Sequence, residues 1–145
     1  MDINASIIDQ RLDGIVDANS DLLPPGKDPQ KKKSAAFVLL SAATALGIPL
    51  EEAAEYLTEG GGDAGVDVLY VGDVEDGEFQ VTLFQGKYKH KDLSGAALFP
   101  ENGVKAAIQT IGTLFDPAKV LDMNDRLKPR IEEVRSLIRD GYIPV

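Results

Sequence analysis

The stretch Gly62-Asp63-Ala64-Gly65-Val66-Asp67-Val68-Leu69-Tyr70-Val71 decides the fold class. From Val66 to Val71 it is β-branched and aromatic and is preceded by a glycine-rich run, which predicts a strand. Asp73-Val74-Glu75-Asp76-Gly77 is rich in turn formers, and Phe79 to Tyr88 reads as a second strand. Together they predict a hairpin. Side chains at i and i+2 share one face of a strand, so Gln85 and Lys87 are expected to point the same way. Antiparallel pairing across the turn would carry Asp67 toward Gln85.

On either side of the hairpin the periodicity is helical. Ile3, Ile7, Ile8, Leu12, Ile15 and Val16 recur at helical spacing over residues 2–18. Pro24, Pro25 and Pro29 break the pattern, and Lys31-Lys32-Lys33 reads as an exposed linker. Ser34 is the expected N-cap of a helix over Ala35 to Leu46, ended by Gly47-Ile48-Pro49. Leu50 to Leu57 predicts a short acidic helix. Beyond an irregular stretch at 92–103, helices are predicted over Val104 to Phe115 and about Pro129 to Ile138. In the last of these, Ile131, Val134, Leu137 and Ile138 share a face, and Pro129 suits the first turn. Gly141 caps it, and Tyr142-Ile143-Pro144-Val145 reads as the start of a strand.

The expected architecture is an α/β domain with a short mixed sheet and a β-hairpin flanked by helices. A chain of 145 residues suits one such domain, with 1–33 as N-terminal helix and linker and 34–145 as core. The closing strand reads as cut short, as in the N-terminal fragment of a longer protein.

Composition narrows the chemistry. At 43% hydrophobic and 27% charged residues, the chain can bury an ordinary core. No cysteine is present, which excludes disulfides and thiolate-bound zinc, and the single His90 excludes a site needing two histidines from one chain. No apolar run has the length of a membrane span and the N-terminus lacks signal-peptide regions, so a cytoplasmic protein without a membrane partner is expected.

Net charge is −9, which weighs against a nucleic-acid partner, yet the charge is uneven. Residues 1–79 hold 5 basic and 16 acidic residues; residues 80–145 hold 10 basic and 8 acidic ones. The basic excess follows the Gln85 strand through Lys87, Lys89, His90 and Lys91 and resumes from Lys119 to Arg139. Lys89 and Lys91 are the candidate phosphate contacts, although a solvated strand end is their blander reading.

Asp67 beside the Gln85 amide carbonyl forms an oxygen pair of the kind Mg²⁺ takes, since that ion uses few protein ligands and keeps several waters. A lysine nearby can hold a phosphate, stabilise charge developing on it, or help deprotonate water. The blander reading of Asp67 is a turn former after glycines. Asp63 is a loop cap or an outer ligand. The glycine run is no phosphate-binding P-loop: it lacks the Gly-Lys-Ser/Thr ending, and Glu59 and Asp63 would repel phosphate.

Asp67, followed eighteen positions later by Gln85-Gly86-Lys87, resembles the D…(D/E/Q)-x-K core of the PD-(D/E)xK nuclease superfamily. Gly62-Asp63-Ala64-Gly65-Val66-Asp67 is similar to the G-D-x-G-(I/V)-D of its Mrr-like branch, where Gln often replaces the middle acid. Leu57 to Tyr70 with Phe84-Gln85-Gly86-Lys87-Tyr88 resembles the N-terminal domain of abortive-infection phage-resistance proteins of the AIPR type.

The resemblance implies a restriction-endonuclease-like fold that cleaves DNA with Mg²⁺ or Mn²⁺ in phage defence. RNA and homodimerisation stay open. It assigns metal binding to Asp67 and Gln85 and the catalytic lysine role to Lys87. The family also places an acid on the helix before the Asp strand. Residues 34–48 hold none, so Glu55, or failing that Glu52, is expected to serve, with Asp63 as an additional metal-side acid. A non-catalytic dimerisation or sensing module of the same fold is the alternative.

Overall fold

The computed structural model describes residues 2–26, 28–58, 66–89, 98–119 and 125–145. Among these it is a mixed α/β chain with five α-helices and four short strands. The chain divides into two compact units, Met1–Glu55 with Gly86–Phe99, and Tyr56–Gln85 with Pro100–Val145.

In the first unit, α1 (Ile3–Ala18) starts where the Asp2 carboxylate accepts the Asn4 N–H at 2.7 Å. α2 (Pro29–Leu46) corrects the expected N-cap at Ser34, and Lys31 to Lys33 lie on the helix rather than in a linker. The reason is local. Asp28 Oδ1 accepts the N–H groups of Gln30 and Lys31 at 3.0 and 3.4 Å, and Pro29 occupies a position that needs no donor. Gly47, at φ 67°, takes the left-handed turn that ends α2. α3 (Leu50–Glu55) stops two residues short of Leu57, because Leu57 pairs with Val68 instead of continuing the helix. Leu12, Leu39, Ala36, Ala42 and Ala53 are fully buried, and the alanines let the helices approach closely.

The second unit is built on the hairpin. β1 (Val68–Val71) and β3 (Val81–Phe84) run antiparallel, with Val68 opposite Phe84 and Val71 opposite Val81. The Gly72 N–H extends the register by donating to the Gln80 carbonyl at 2.8 Å. At the tip, Glu75 and Glu78 exchange hydrogen bonds of 2.9 and 3.0 Å around Asp76 and Gly77. Both central residues have positive φ, 52° and 79°, the conformation of a type I′ turn whose twist suits a hairpin.

The expected continuous strand from Phe79 to Tyr88 is corrected. It is broken at Gln80 into β2 (Glu78–Phe79) and β3, and residues 85–89 carry no ladder. β4 (Ile143–Pro144), the strand expected from Tyr142 onward, pairs in parallel with β2.

α5 (Leu127–Arg139) lays Leu127, Ile131 and Val134 at helical spacing against Val66, Leu69, Val71 and Phe79, with Leu114 of α4 (Glu101–Leu114) completing the core. Arg135 joins the two helices. Its Nη2 donates to the carbonyls of Thr113, Asp116 and Lys119 at 2.7, 3.0 and 2.9 Å, supplying positive charge where α4 ends. Among the described residues no helix is long and apolar enough to cross a membrane.

Candidate functional site

Asp67 is where β1 leaves regular pairing. Val68 stands opposite Phe84, yet the Asp67 N–H also donates to the Phe84 carbonyl, at 2.8 Å. Two residues of one strand thus meet a single residue of the other. That is a β-bulge, a device that bends the strand and re-aims a side chain. The Asp67 carbonyl serves the opposite edge and accepts the Thr58 N–H at 2.9 Å.

Thr58 does more than close that bond. Fully buried, it donates its hydroxyl to the Val66 carbonyl at 2.7 Å. On the same edge Leu57 bridges Val68, and the Leu69 N–H donates to the Tyr56 carbonyl at 3.2 Å. Tyr56, Leu57 and Thr58 therefore line the edge of β1 and of the two residues that lead into it. The sequence reading missed Thr58, because a threonine before glycines gives no sign of a clamp until its partner strand is known.

Gln85 follows Phe84 directly and is half-buried. Asp67 and Gln85 therefore lie at the same end of the hairpin, within the second unit. Lys87, Lys89 and Glu55 belong to the first unit, and all three are exposed. With no ladder at 85–89, strand geometry does not set the relation of Gln85 to Lys87. Asp63 and Lys91 lie outside the described residues.

Inside the first unit, the segment bearing Lys87 is fastened at alternate residues. Gly86 runs against α2, where a Cβ would stand 2.7 Å from Val38 Cγ2. Tyr88 packs on Phe37 with ring centroids 5.4 Å apart, and its hydroxyl donates to the Asp9 carboxylate. The Lys33 ammonium lies 2.8 Å from both Asp9 and Asp13 and 5.9 Å from the centre of the Tyr88 ring.

Burial opposes the Lys33 charge, but hydrogen bonds to Asp13 and Asp9 outweigh it and hold the pKa above the ordinary lysine range. Burial, and then the hydrogen bond and charge of Asp9, push the Tyr88 hydroxyl up to about 12. Gly86 and Tyr88 are thus held while Lys87 and Lys89 stay in solvent.

Gly86→Ala should destabilise the protein by about 1–3 kcal/mol, because Val38 is buried and stiff at χ1 and cannot retreat. That outweighs the roughly 0.4–1 kcal/mol that alanine gains by restricting the unfolded chain. Urea unfolding measures the effect. In a Val38→Ala background the cost of Gly86→Ala should nearly vanish, whereas an equal cost in both backgrounds would show that Val38 is not the obstacle.

The donors at the hairpin end are hard oxygens, the kind Mg²⁺ prefers. Among the described residues, no three His, Asp or Glu side chains gather into a metal-holding group. Of the basic run, Arg135 is engaged with the carbonyls of Thr113, Asp116 and Lys119, and Arg130 lies over the Tyr56 ring at 4.8 Å and 3.4 Å from Glu133. Comparison with family models, curated proteins and solved structures gave no match to this chain.

Proposed function

We propose that this chain is a restriction-endonuclease-like domain of the PD-(D/E)xK type, akin to the Mrr-like branch and the AIPR-type phage-resistance proteins. Its work in this reading is hydrolysis of DNA phosphodiesters with Mg²⁺ or Mn²⁺ in phage defence. One observation carries the reading. The bulge at Asp67 hydrogen-bonds its backbone to Phe84, next to Gln85, so a carboxylate and an amide oxygen share one end of the hairpin. Lys87 comes two residues later, which keeps its Cα within about 7 Å of that of Gln85.

In this reading Asp67 and Gln85 hold the cation, and Lys87 places its ammonium against the scissile phosphate, where negative charge grows during attack. Bound metal lowers the pKa of the attacking water and polarises the phosphodiester. Lys89 and Lys91 contact neighbouring phosphates and add affinity without sequence preference.

Incubating the protein with supercoiled DNA and Mg²⁺ or Mn²⁺ should give nicked and linear products, and EDTA should prevent them. An inert wild type with either ion, on DNA and on RNA, overturns the proposal. A second reading, a non-catalytic dimerisation or sensing module of the same fold, draws support from α2, which carries no acid from Pro29 to Leu46. That module would fold normally and cleave nothing.

A further inference from the structure

Helix α4 buries two threonines beside Leu114 and leaves a row of apolar side chains in solvent. It buries Thr110 and Thr113, whose hydroxyls donate to the carbonyls of Ala106 and Gln109 at 3.1 and 3.0 Å on the same helix. Val104, Ile108 and Ile111, with Phe115 just past its end, are 45%, 61%, 41% and 51% exposed. Their spacing is four, three, four. At 3.6 residues per turn they fall within a stripe about 60° wide, the narrow seam of a helix that packs against one other helix.

We propose that a second copy of this chain docks here, with the two α4 helices antiparallel across a two-fold axis. The spacing reads the same in both directions. Under the two-fold, Ile108 meets the partner's Ile111 and Val104 meets the partner's Phe115, the self-complementarity that such an interface requires. The flanking charges agree. Glu101 and Lys105, 2.9 Å apart, lie at one end, and Asp116 and Lys119 at the other. Antiparallel docking brings Glu101 toward the partner's Lys119, whereas parallel docking would set Glu101 beside the partner's Glu101.

Four side chains, each about half exposed, make a seam smaller than the ~800 Å² per partner of a stable complex. A seam of this size makes the dimer weak and its formation concentration-dependent.

Sedimentation of the whole chain between 10 µM and 1 mM should show its average mass rising from 15.6 kDa toward twice that. Ile108→Glu with Ile111→Glu should stay monomeric while keeping the same unfolding midpoint. The chain has no cysteine, so single-cysteine variants report the geometry directly. Val104→Cys mixed with Phe115→Cys should give a mixed disulfide, and neither alone should cross-link, since like positions lie ~16 Å apart along antiparallel helices. If the double glutamate variant fails to fold, the cysteine pair still decides. A monomer at 1 mM, or ready cross-linking of Val104→Cys with itself, overturns the proposal.

Discussion

Asp67→Ala should lower metal-dependent DNA cleavage about 1,000-fold or more and leave the protein folded. The two expectations have separate causes. Folding uses the Asp67 backbone, whose N–H bonds Phe84 and whose carbonyl bonds Thr58, and alanine keeps both. In the proposed nuclease reading catalysis would use the carboxylate, without which the cation would lose its charged ligand. Metal-assisted hydrolysis draws several kcal/mol of transition-state stabilisation from the ion, and about 4 kcal/mol corresponds to a factor near 1,000. Initial rates with Mg²⁺ and Mn²⁺, set beside the unfolding midpoint, check the prediction. Activity at the wild-type level would remove Asp67 from the site, and an unfolded variant would show that its side chain serves the fold.

Lys87→Ala should reduce kcat about 100-fold with little change in KM or stability. The side chain is exposed, and its segment is held by Gly86 and Tyr88 on either side, so truncation leaves that anchorage intact. A contact that strengthens as charge builds on the phosphate acts on rate rather than on binding. Lys89→Ala should differ in kind: a loss in affinity and a shallower salt dependence at nearly unchanged kcat. Steady-state kinetics across a salt series separates the two lysines. A pure KM effect in Lys87→Ala would make Lys87 a binding residue only.

The hairpin was legible because its signals are local. Val66 to Val71 announces a strand, and Asp76-Gly77 supplies the two positive-φ residues of its turn. The core face of α5 was legible from the periodicity of Ile131 and Val134. The start of α2 was misread because Asp28-Pro29, a cap followed by a first-turn proline, resembles the breaker prolines before it. The far end of the second strand was misread for another reason. Residues 85–89 have strand-like composition, but a strand exists only where a partner backbone accepts its hydrogen bonds, and composition does not reveal the partner.

By itself, the sequence marked the helical segments, the hairpin and the candidate residues Asp67, Gln85 and Lys87. Those follow from side-chain type and spacing, which act over a few residues. Only the tertiary structure decided that Asp67 sits on a bulge, that Thr58 bonds Val66 and Asp67, and that a Cβ at Gly86 would crowd Val38. It alone turned Arg135 inward to carbonyls at and beyond the end of α4 and left the α4 seam in solvent. These features depend on groups brought together from distant points in the chain, and pairing of that kind is fixed by packing and hydrogen-bond satisfaction rather than by local propensity.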